Sequence, residues 1–335
     1  MQVPPLIGIT ATEFLNLSVE STGFQQELSL HLSVAAQQEY EENIRQHGTH
    51  SQKALYAGIS APYAPIPIVN CEFKGICAIT NPEFHTWNLI RTGTSPIPGM
   101  HTCPMCNMHI NADNINHWLS CNFSASGRTI LHHDIKRVLV QAATKANQGR
   151  VVNEPPHLFI DTASGSGSNR RPDFAIYGGI DDTVCGQTFD FSIVIPTAVS
   201  IVTQMQSSIS QPRGTIGLIP TLESVKIVEK RKNNHYRDLA RNIKFSFTPL
   251  VMEATGGMSR TLRKYLRDWT QEHSTSAVSS TTRDLVKQVS YTLLRGQTTM
   301  LTAWLGKVNA IRMGRLQKGI HSRGGSNSPL RSSRP

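Results

Sequence analysis

The sequence predicts an α/β fold: a mixed sheet flanked by helices, with a small Cys/His-rich module in front of it and a basic helical region behind it. Three observations predict this organisation. An amphipathic helix over residues 128–147 is followed by several short β-like runs. Three of the six cysteines lie between positions 103 and 121. Basic residues are concentrated towards the C-terminus.

Residues 1–98 are predicted to form an N-terminal helical and linker region. They contain a helix over 28–46 with a weak apolar stripe, a proline-rich extended connector over 61–70, and a short helix over 82–90. Residues 99–125 contain the Cys/His module. In the helix that follows, apolar side chains recur along one face: Leu131, Ile135, Val138, Leu139 and Ala142.

The predicted sheet belongs to a core that spans residues 126–257. Four short runs have the composition and alternation of strands: 151–154, 157–161, 172–177 and 188–195. A basic helix over 223–241 and an alternating strand over 244–255 complete this core. Residues 196–220 show no pattern that assigns them to either type.

The C-terminal region is predicted to be helical over residues 258–316, with helices at 259–273 and 281–308. Residues 317–335 form a basic, low-complexity tail that we expect to be disordered. No run approaches the roughly 18 apolar residues of a membrane span, so we expect no membrane partner. The first residues also lack the basic start and apolar block of a secretory signal.

The net charge of +10 is unevenly distributed. Residues 226–335 carry a net +15, whereas residues 1–225 carry a net −5. Such an excess is typical of a surface that meets a polyanion, although a solvated helix surface has the same composition. Four basic residues share one helical face and are predicted to contact a DNA backbone: Arg260, Arg263, Lys264 and Arg267.

The Cys/His module predicts a structural zinc site. Its spacing is Cys103-x2-Cys106-x10-His117-x3-Cys121, in which the first pair needs one tight turn and the second shares one face of a helical turn. Thiolates and imidazole suit Zn²⁺ better than Mg²⁺ or Ca²⁺. His109 is a spare donor that can replace His117. Trp118 either packs the module or stacks on a base.

A set of acidic residues predicts a second, harder metal site. Asp173 and Asp190 each lie in or beside an apolar β-like run, where a carboxylate is costly unless it is paired or binds a cation. Carboxylates that converge from adjacent strands suit Mg²⁺ or Mn²⁺, and a nearby lysine makes the site suited to phosphodiester cleavage. Position 192, where a PD-(D/E)XK pattern expects that lysine, is serine. The nearest candidate is Lys232, with Tyr236 one turn further on; capping or surface aspartates are the alternative interpretation.

The order of these features resembles the C-terminal region of non-LTR retrotransposon polyproteins that carry a restriction-enzyme-like endonuclease. A helix before an Arg-Thr-Gly turn precedes the Cys-Cys-His-Cys knuckle, an HHD helix, Glu-Pro, Arg-Pro-Asp, a strand aspartate, a Lys-x3-Tyr helix and FTPLVMEATGG. The similarity covers about residues 81–257. It implies a PD-(D/E)XK-like core with Asp173 and Asp190 as metal-binding acids, Lys232 as a displaced catalytic lysine and Glu154 as a further acid.

The resemblance also implies a function and partners. Proteins of this family nick target DNA, and the exposed 3′ hydroxyl primes reverse transcription; the resemblance therefore implies a nuclear protein that binds DNA and possibly element RNA. The sequence lacks the Tyr/Phe-x-Asp-Asp turn of a polymerase, so a reverse transcriptase on another or a longer chain is the implied partner. His132 stands where the family usually has arginine.

Several assignments stay open at the level of sequence. Arg170 and Arg171 contact a phosphate or are solvated loop residues. His133 and Asp134 support the acidic site or form a surface hydrogen bond on their helix. Two other functions compete with the endonuclease: a catalytically inactive zinc-containing nucleic-acid-binding remnant, and a nuclease that selects branched DNA.

Overall fold

The computed structural model describes residues 24–69, 78–111, 114, 116–146, 150–156, 158–159, 171–178, 185–209, 219–270 and 280–323. The chain divides into two units, of which the first comprises residues 1–48 and 215–217. Its described element is helix α1 (Phe24–His47), which confirms the helix predicted over 28–46. Near its end, Arg45 pairs with Glu41 at 3.2 Å and with Glu42 at 2.6 Å.

The second unit, residues 49–214 and 218–335, begins with three helices: α2 (His50–Ile59), α3 (Ile66–Val69) and α4 (Asn81–Thr92). Helix α4 starts with a capping box, in which the side chain of Thr80 accepts from the N–H of Glu83 and that of Glu83 accepts from the N–H of Thr80. It ends at Gly93, whose φ of 59° is left-handed. The extended connector predicted over 61–70 is wrong, because residues 61–65 form turns and α3 follows them.

Two helices follow the Cys-x2-Cys pair: the short α5 (His117–Ser120) and the long α6 (Ala125–Ala146), joined by a 3₁₀ turn (Asn122–Ser124). Helix α6 confirms the amphipathic helix predicted over 128–147. Its apolar face is buried as the spacing requires, at Leu131, Ile135, Val138 and Leu139. Lys136 is buried beside them, which the apolar pattern does not reveal.

The sheet has four strands: β1 (Val151–Asn153), β2 (Phe174–Tyr177), β3 (Gly186–Val194) and β4 (Phe245–Glu253). They lie in the order β1-β2-β3-β4; the first two pairings are antiparallel and β3 pairs with β4 in parallel. A parallel pair needs a crossover, which helices α7 (Val199–Ile209) and α8 (Glu223–Asn242) supply. The strand predicted over 157–161 is not formed at Leu158 and Phe159, which lie in a turn.

Alternating side chains place helices on both faces of the sheet. On one face, Phe174 and Phe189 stack with ring centroids 4.8 Å apart and belong to the cluster that contains the apolar face of α6. On the other, Ala175 and Phe245 pack with Ala240 of α8. The mixed sheet flanked by helices that the sequence predicts is therefore present.

The C-terminal helices are α9 (Arg260–Asp268) and α10 (Ser280–Arg323). Helix α10 extends to Arg323, well beyond the predicted end at residue 308. The prediction of disorder over residues 317–335 is therefore wrong for residues 317–323. Residues 324–335 lie outside the described part of the chain. No helix within the described ranges is both long and apolar enough to cross a membrane.

Helices α6 and α10 pack closely at a glycine. A Cβ added at Gly296 of α10 would lie 2.4 Å from Cδ1 of the buried Leu131 on α6, well inside van der Waals contact. The two helices therefore approach each other at a distance that a side chain at this position does not allow.

We expect Gly296→Ala to destabilise the protein by about 1–3 kcal/mol relative to Gly306→Ala, because only the first added methyl group enters a packed interface. A Cβ added at Gly306 on the same helix would meet no atom of another part of the described structure within 4 Å, so its substitution tests helix propensity alone. Urea unfolding of both variants measures the difference. Equal stabilities would contradict the close packing.

Candidate functional site

The Cys-x2-Cys pair lies in a tight hairpin. Thr102 and His109 form a bridge across it, and the N–H of Cys103 donates to the carbonyl of Met108 at 2.9 Å. Asn107 occupies the turn with a left-handed φ of 57°, a conformation that asparagine tolerates better than most residues. The turn therefore brings Cys103 and Cys106 to the same end of the hairpin.

The four predicted zinc ligands come together in one cluster. The donor atoms of Cys103, Cys106, His117 and Cys121 all lie within 4.8 Å of one another. The sulfur of Cys121 is 3.9 Å from that of Cys103 and 3.8 Å from that of Cys106. A tetrahedral ion with metal–sulfur bonds of about 2.3 Å separates its sulfur ligands by roughly 3.8 Å. These residues can therefore hold a metal ion such as zinc, with His117 rather than His109 as the nitrogen donor.

Burial controls the protonation of these groups. It lowers the pKa of His117, which keeps the imidazole in the neutral form that binds metals. Burial, together with the neighbouring sulfurs of Cys103 and Cys106, raises the pKa of the Cys121 thiol to about 11. Formation of the thiolate here consequently depends on a bound cation.

Trp118 packs the module. It is 1% exposed and belongs to the same core as Leu119 and Ile135, so it is not available to stack on a base. The Cys/His module is thus built into the main core.

We expect Cys106→Ser to remove the bound metal ion and to lower the thermal midpoint, because three remaining ligands leave the tetrahedral set incomplete. Metal analysis of the purified protein should fall from about one zinc per chain to a small fraction of that. Cys185→Ser is the matched control, since Cys185 is an exposed thiol outside the cluster. Retention of full metal content by Cys106→Ser would show that the cluster is not the site.

The predicted acids Asp173 and Asp190 line one cavity of about 520 Å³. Asp173 directly precedes β2 and Asp190 lies in the middle of β3, the strand next to it. Lys232 and Ser192 line the same cavity. Other walls come from α5, from α6 and from α10.

Lys232 reaches the cavity from α8. Its Nζ lies 2.5 Å from Oδ2 of Asp190, and 5.7 Å from the ring centroid of Tyr236. Tyr236 packs between Phe159 and Phe247, with centroids 5.7 Å and 5.0 Å away. The structure thus brings Lys232 to Asp190 although forty-odd residues separate them in the sequence.

Opposing effects act on the protonation of Asp190. Its pKa is raised, mainly because the carboxyl is buried and to a lesser extent because Asp173 is a negative neighbour, while the Lys232 ammonium works in the opposite direction. An additional cation in the cavity would therefore stabilise the ionised carboxylate of Asp190.

Asp173 is held by both backbone and side chain. Its Oδ2 accepts from the N–H of Phe191 at 2.7 Å and lies 3.3 Å from Nε2 of His132. Burial lowers the pKa of His132, but the hydrogen bond to Asp173 and its charge outweigh this effect and leave the pKa raised. The raised pKa favours the imidazolium form of His132, which is the form that pairs with the acid.

Glu154 follows β1 with a left-handed φ of 44° and lies among cations. It forms an ion pair with Lys136, and its carboxylate is 3.9 Å from His133 and 3.6 Å from Arg171. The hydrogen bond from Lys136 is the main reason that the pKa of Glu154 is lowered. Lys136 also lies 4.0 Å from Asp173, so it links the two acids.

The remaining predicted residues divide into two groups. His133 approaches Glu154, whereas Asp134 pairs with Arg137 at 2.8 Å on the surface of α6, so the two do not act together. Arg171 pairs with Glu154, and Arg170 lies outside the described residues. Arg260, Lys264 and Arg267 are exposed on α9; Arg263 is half-buried over the ring of Tyr63.

Sequence reasoning missed His132 and Lys136 as members of the acidic site. Both lie on α6, and they are one helical turn apart. The available signal was a lysine beside the apolar face of an amphipathic helix, where it needs a buried anionic partner.

No known family model matches the sequence, and neither does any curated protein.

We expect Lys136→Met to destabilise the protein by about 1–3 kcal/mol at pH 7, because it leaves Glu154 without its closest cation. The pKa of Glu154 is lowered by this pair, so the contribution is present at neutral pH and decreases as the pH falls below the ordinary glutamate value of about 4.3 and through the lowered pKa. Urea unfolding at pH 7 and pH 3.5 tests the difference. Arg137→Met, which breaks an exposed pair on the same helix, should change stability by less than about 0.5 kcal/mol. An equal loss at both pH values for Lys136→Met would refute the assignment.

Proposed function

We propose that this protein is a metal-dependent DNA endonuclease module with a PD-(D/E)XK-like site, related to the restriction-enzyme-like region of non-LTR retrotransposon proteins. One observation carries the proposal: Asp173 and Asp190 extend from neighbouring strands into a single cavity, and Lys232 reaches the second acid at 2.5 Å. This combination of two carboxylates and a lysine is what the resemblance requires.

Each residue has a defined task in this proposal. Asp173 and Asp190 would hold Mg²⁺ or Mn²⁺, hard cations that prefer carboxylate oxygens. The bound cation supplies acidity to an attacking water and charge stabilisation to the phosphate. The backbone N–H of Phe191 orients Asp173. The Lys232 ammonium orients the water or stabilises developing negative charge.

The Cys/His cluster would hold zinc in a structural role. A complete set of three sulfurs and one nitrogen leaves no open coordination position for a substrate. Zinc would thus stabilise the module that adjoins the cavity.

The basic C-terminal part would bind the DNA backbone. Its exposed side chains on α9 include Arg260, Lys264 and Arg267, and Lys264 lies 3.5 Å from the carboxylate of Asp268. Positive charge spread along a helix suits contacts to successive phosphates. In the retrotransposition reaction that the resemblance implies, the protein would nick nuclear target DNA for a reverse transcriptase carried on another or a longer chain.

A second candidate function is nucleic-acid binding without cleavage. The observation that favours it is that each acid of the site already has a cationic partner within the chain: Lys232 for Asp190, His132 for Asp173 and Lys136 for Glu154. A divalent cation must compete with these partners. An inactive remnant would keep salt-sensitive binding and depend on the Cys/His cluster for folding alone.

We expect the purified protein to nick supercoiled duplex DNA in the presence of Mg²⁺, and Asp173→Ala to reduce the rate by at least a thousandfold, because the cation loses one of two protein carboxylates. Conversion of supercoiled to open-circular plasmid measures the rate. Asp238→Ala is the matched control, since Asp238 is exposed on α8 and pairs with the exposed Arg241.

Cleavage that persists in Asp173→Ala would exclude the proposed site. Binding of wild-type protein to DNA with no cleavage by either Mg²⁺ or Mn²⁺ would favour the remnant. Preferential cleavage of branched over linear duplex would instead indicate a nuclease that selects DNA structure.

A further inference from the structure

Arg128 connects the Cys/His cluster to the acidic cavity. It lies on α6 one helical turn before His132, and both side chains line the cavity together with Asp173, Asp190 and Lys232. The segment that carries the last cluster ligand forms a wall of the same cavity, through Leu119 and Ala125. The two candidate sites are therefore neighbours.

The guanidinium of Arg128 is held by backbone carbonyls and not by an acid. Its Nη1 donates to the carbonyl of Cys121 at 2.8 Å and to that of Leu119 at 3.3 Å. These carbonyls lie at the end of α5, and that of Cys121 also accepts from the N–H of Ser124 at 2.8 Å. Arg137 on the same helix pairs with Asp134, but Arg128 forms no ion pair with any carboxylate in the described part of the chain.

The two carbonyls leave other N–H groups of the Arg128 guanidinium able to donate to a ligand. A guanidinium has five N–H donors in a fixed planar fork, and the two carbonyls occupy only one of its nitrogens. Among the described residues no carboxylate pairs with its positive charge, and the carboxylates of Asp173 and Asp190 line the same cavity. A planar, permanently charged fork of this kind is suited to a phosphate.

We propose that Arg128 is the residue that holds the phosphodiester of the DNA backbone in the cavity. It would supply, one helical turn earlier, the arginine that the retrotransposon resemblance expects at position 132. The inference rests on the proposed endonuclease function and adds to it a phosphate-binding residue. It also gives the Cys/His cluster a second task, because the carbonyls of Leu119 and Cys121, at the last ligand of the cluster, hold the guanidinium.

The test compares Arg128→Met, Arg128→Lys and the control Arg137→Met in the full chain. Each variant is checked for zinc content and thermal midpoint, and then titrated with a short duplex DNA at several NaCl concentrations without divalent metal. Arg128→Met should bind on the order of tenfold more weakly, with the slope of log K against log[NaCl] reduced by about 0.9, the value for one lost phosphate contact. Arg137→Met should match the wild type in both.

Arg128→Lys retains the charge and loses the fork, so it should keep the salt slope and bind severalfold more weakly than the wild type. This variant tests whether Arg128 binds a phosphate even if Arg128→Met does not fold. With Mg²⁺, both Arg128 variants should show a higher KM for plasmid nicking than the wild type.

If a folded Arg128→Met protein keeps the wild-type affinity and salt slope, the proposal is overturned and Arg128 only caps the end of α5. Wild-type affinity in Arg128→Lys would overturn the proposal as well. If the wild type binds DNA but does not nick it, the endonuclease function fails while the binding titration still decides the role of Arg128.

Discussion

The hydrogen bond from the backbone N–H of Phe191 to the carboxylate of Asp173 is the constraint on which the site depends. It ties the residue just before β2 to the middle of β3, next to the backbone hydrogen bond that the N–H of Asp173 donates to the carbonyl of Phe189 at 2.9 Å. The backbone thus fixes the acid in position, and His132 adds a side-chain contact at 3.3 Å. Since β3 is paired on both sides, this position is set by a strand in the interior of the sheet.

Alternation along β3 distributes the other contacts. Asp190 reaches Lys232 on α8, while the next residue, Phe191, contacts the ring of His132 on α6 with centroids 5.4 Å apart. One strand therefore contacts two helices that are distant in sequence. Charges are neutralised pairwise across this arrangement, which allows three acids to lie close to one another in a partly buried region.

The parts of this structure that the sequence predicted are those that local patterns determine. Helix α6 follows from apolar spacing, β3 and β4 from alternation, and the metal ligands from the spacing of Cys103, Cys106, His117 and Cys121. The contact between Lys232 and Asp190 was proposed from the resemblance, and its geometry depends on the α7–α8 crossover, whose first helix had no recognisable pattern. The partners of Lys136 and His132 were not predictable, because they are brought together only when α6 packs on the sheet.

The prediction of an extended connector over 61–70 was wrong because proline is tolerated in the first turn of a helix, as Pro67 is in α3.

The close packing at Gly296 has a consequence for the smallest part of the chain that can fold as a working unit. The residue after this glycine, Gln297, donates to the carbonyl of Ala254 at 2.6 Å, and Met300 lies one turn further on; both line the acidic cavity. Although every acid and lysine of the site lies before residue 257, one wall of the cavity is supplied by a helix that begins at Ser280. A chain shortened at the end of β4 would keep the reactive groups and lose the surface that shields them from bulk water.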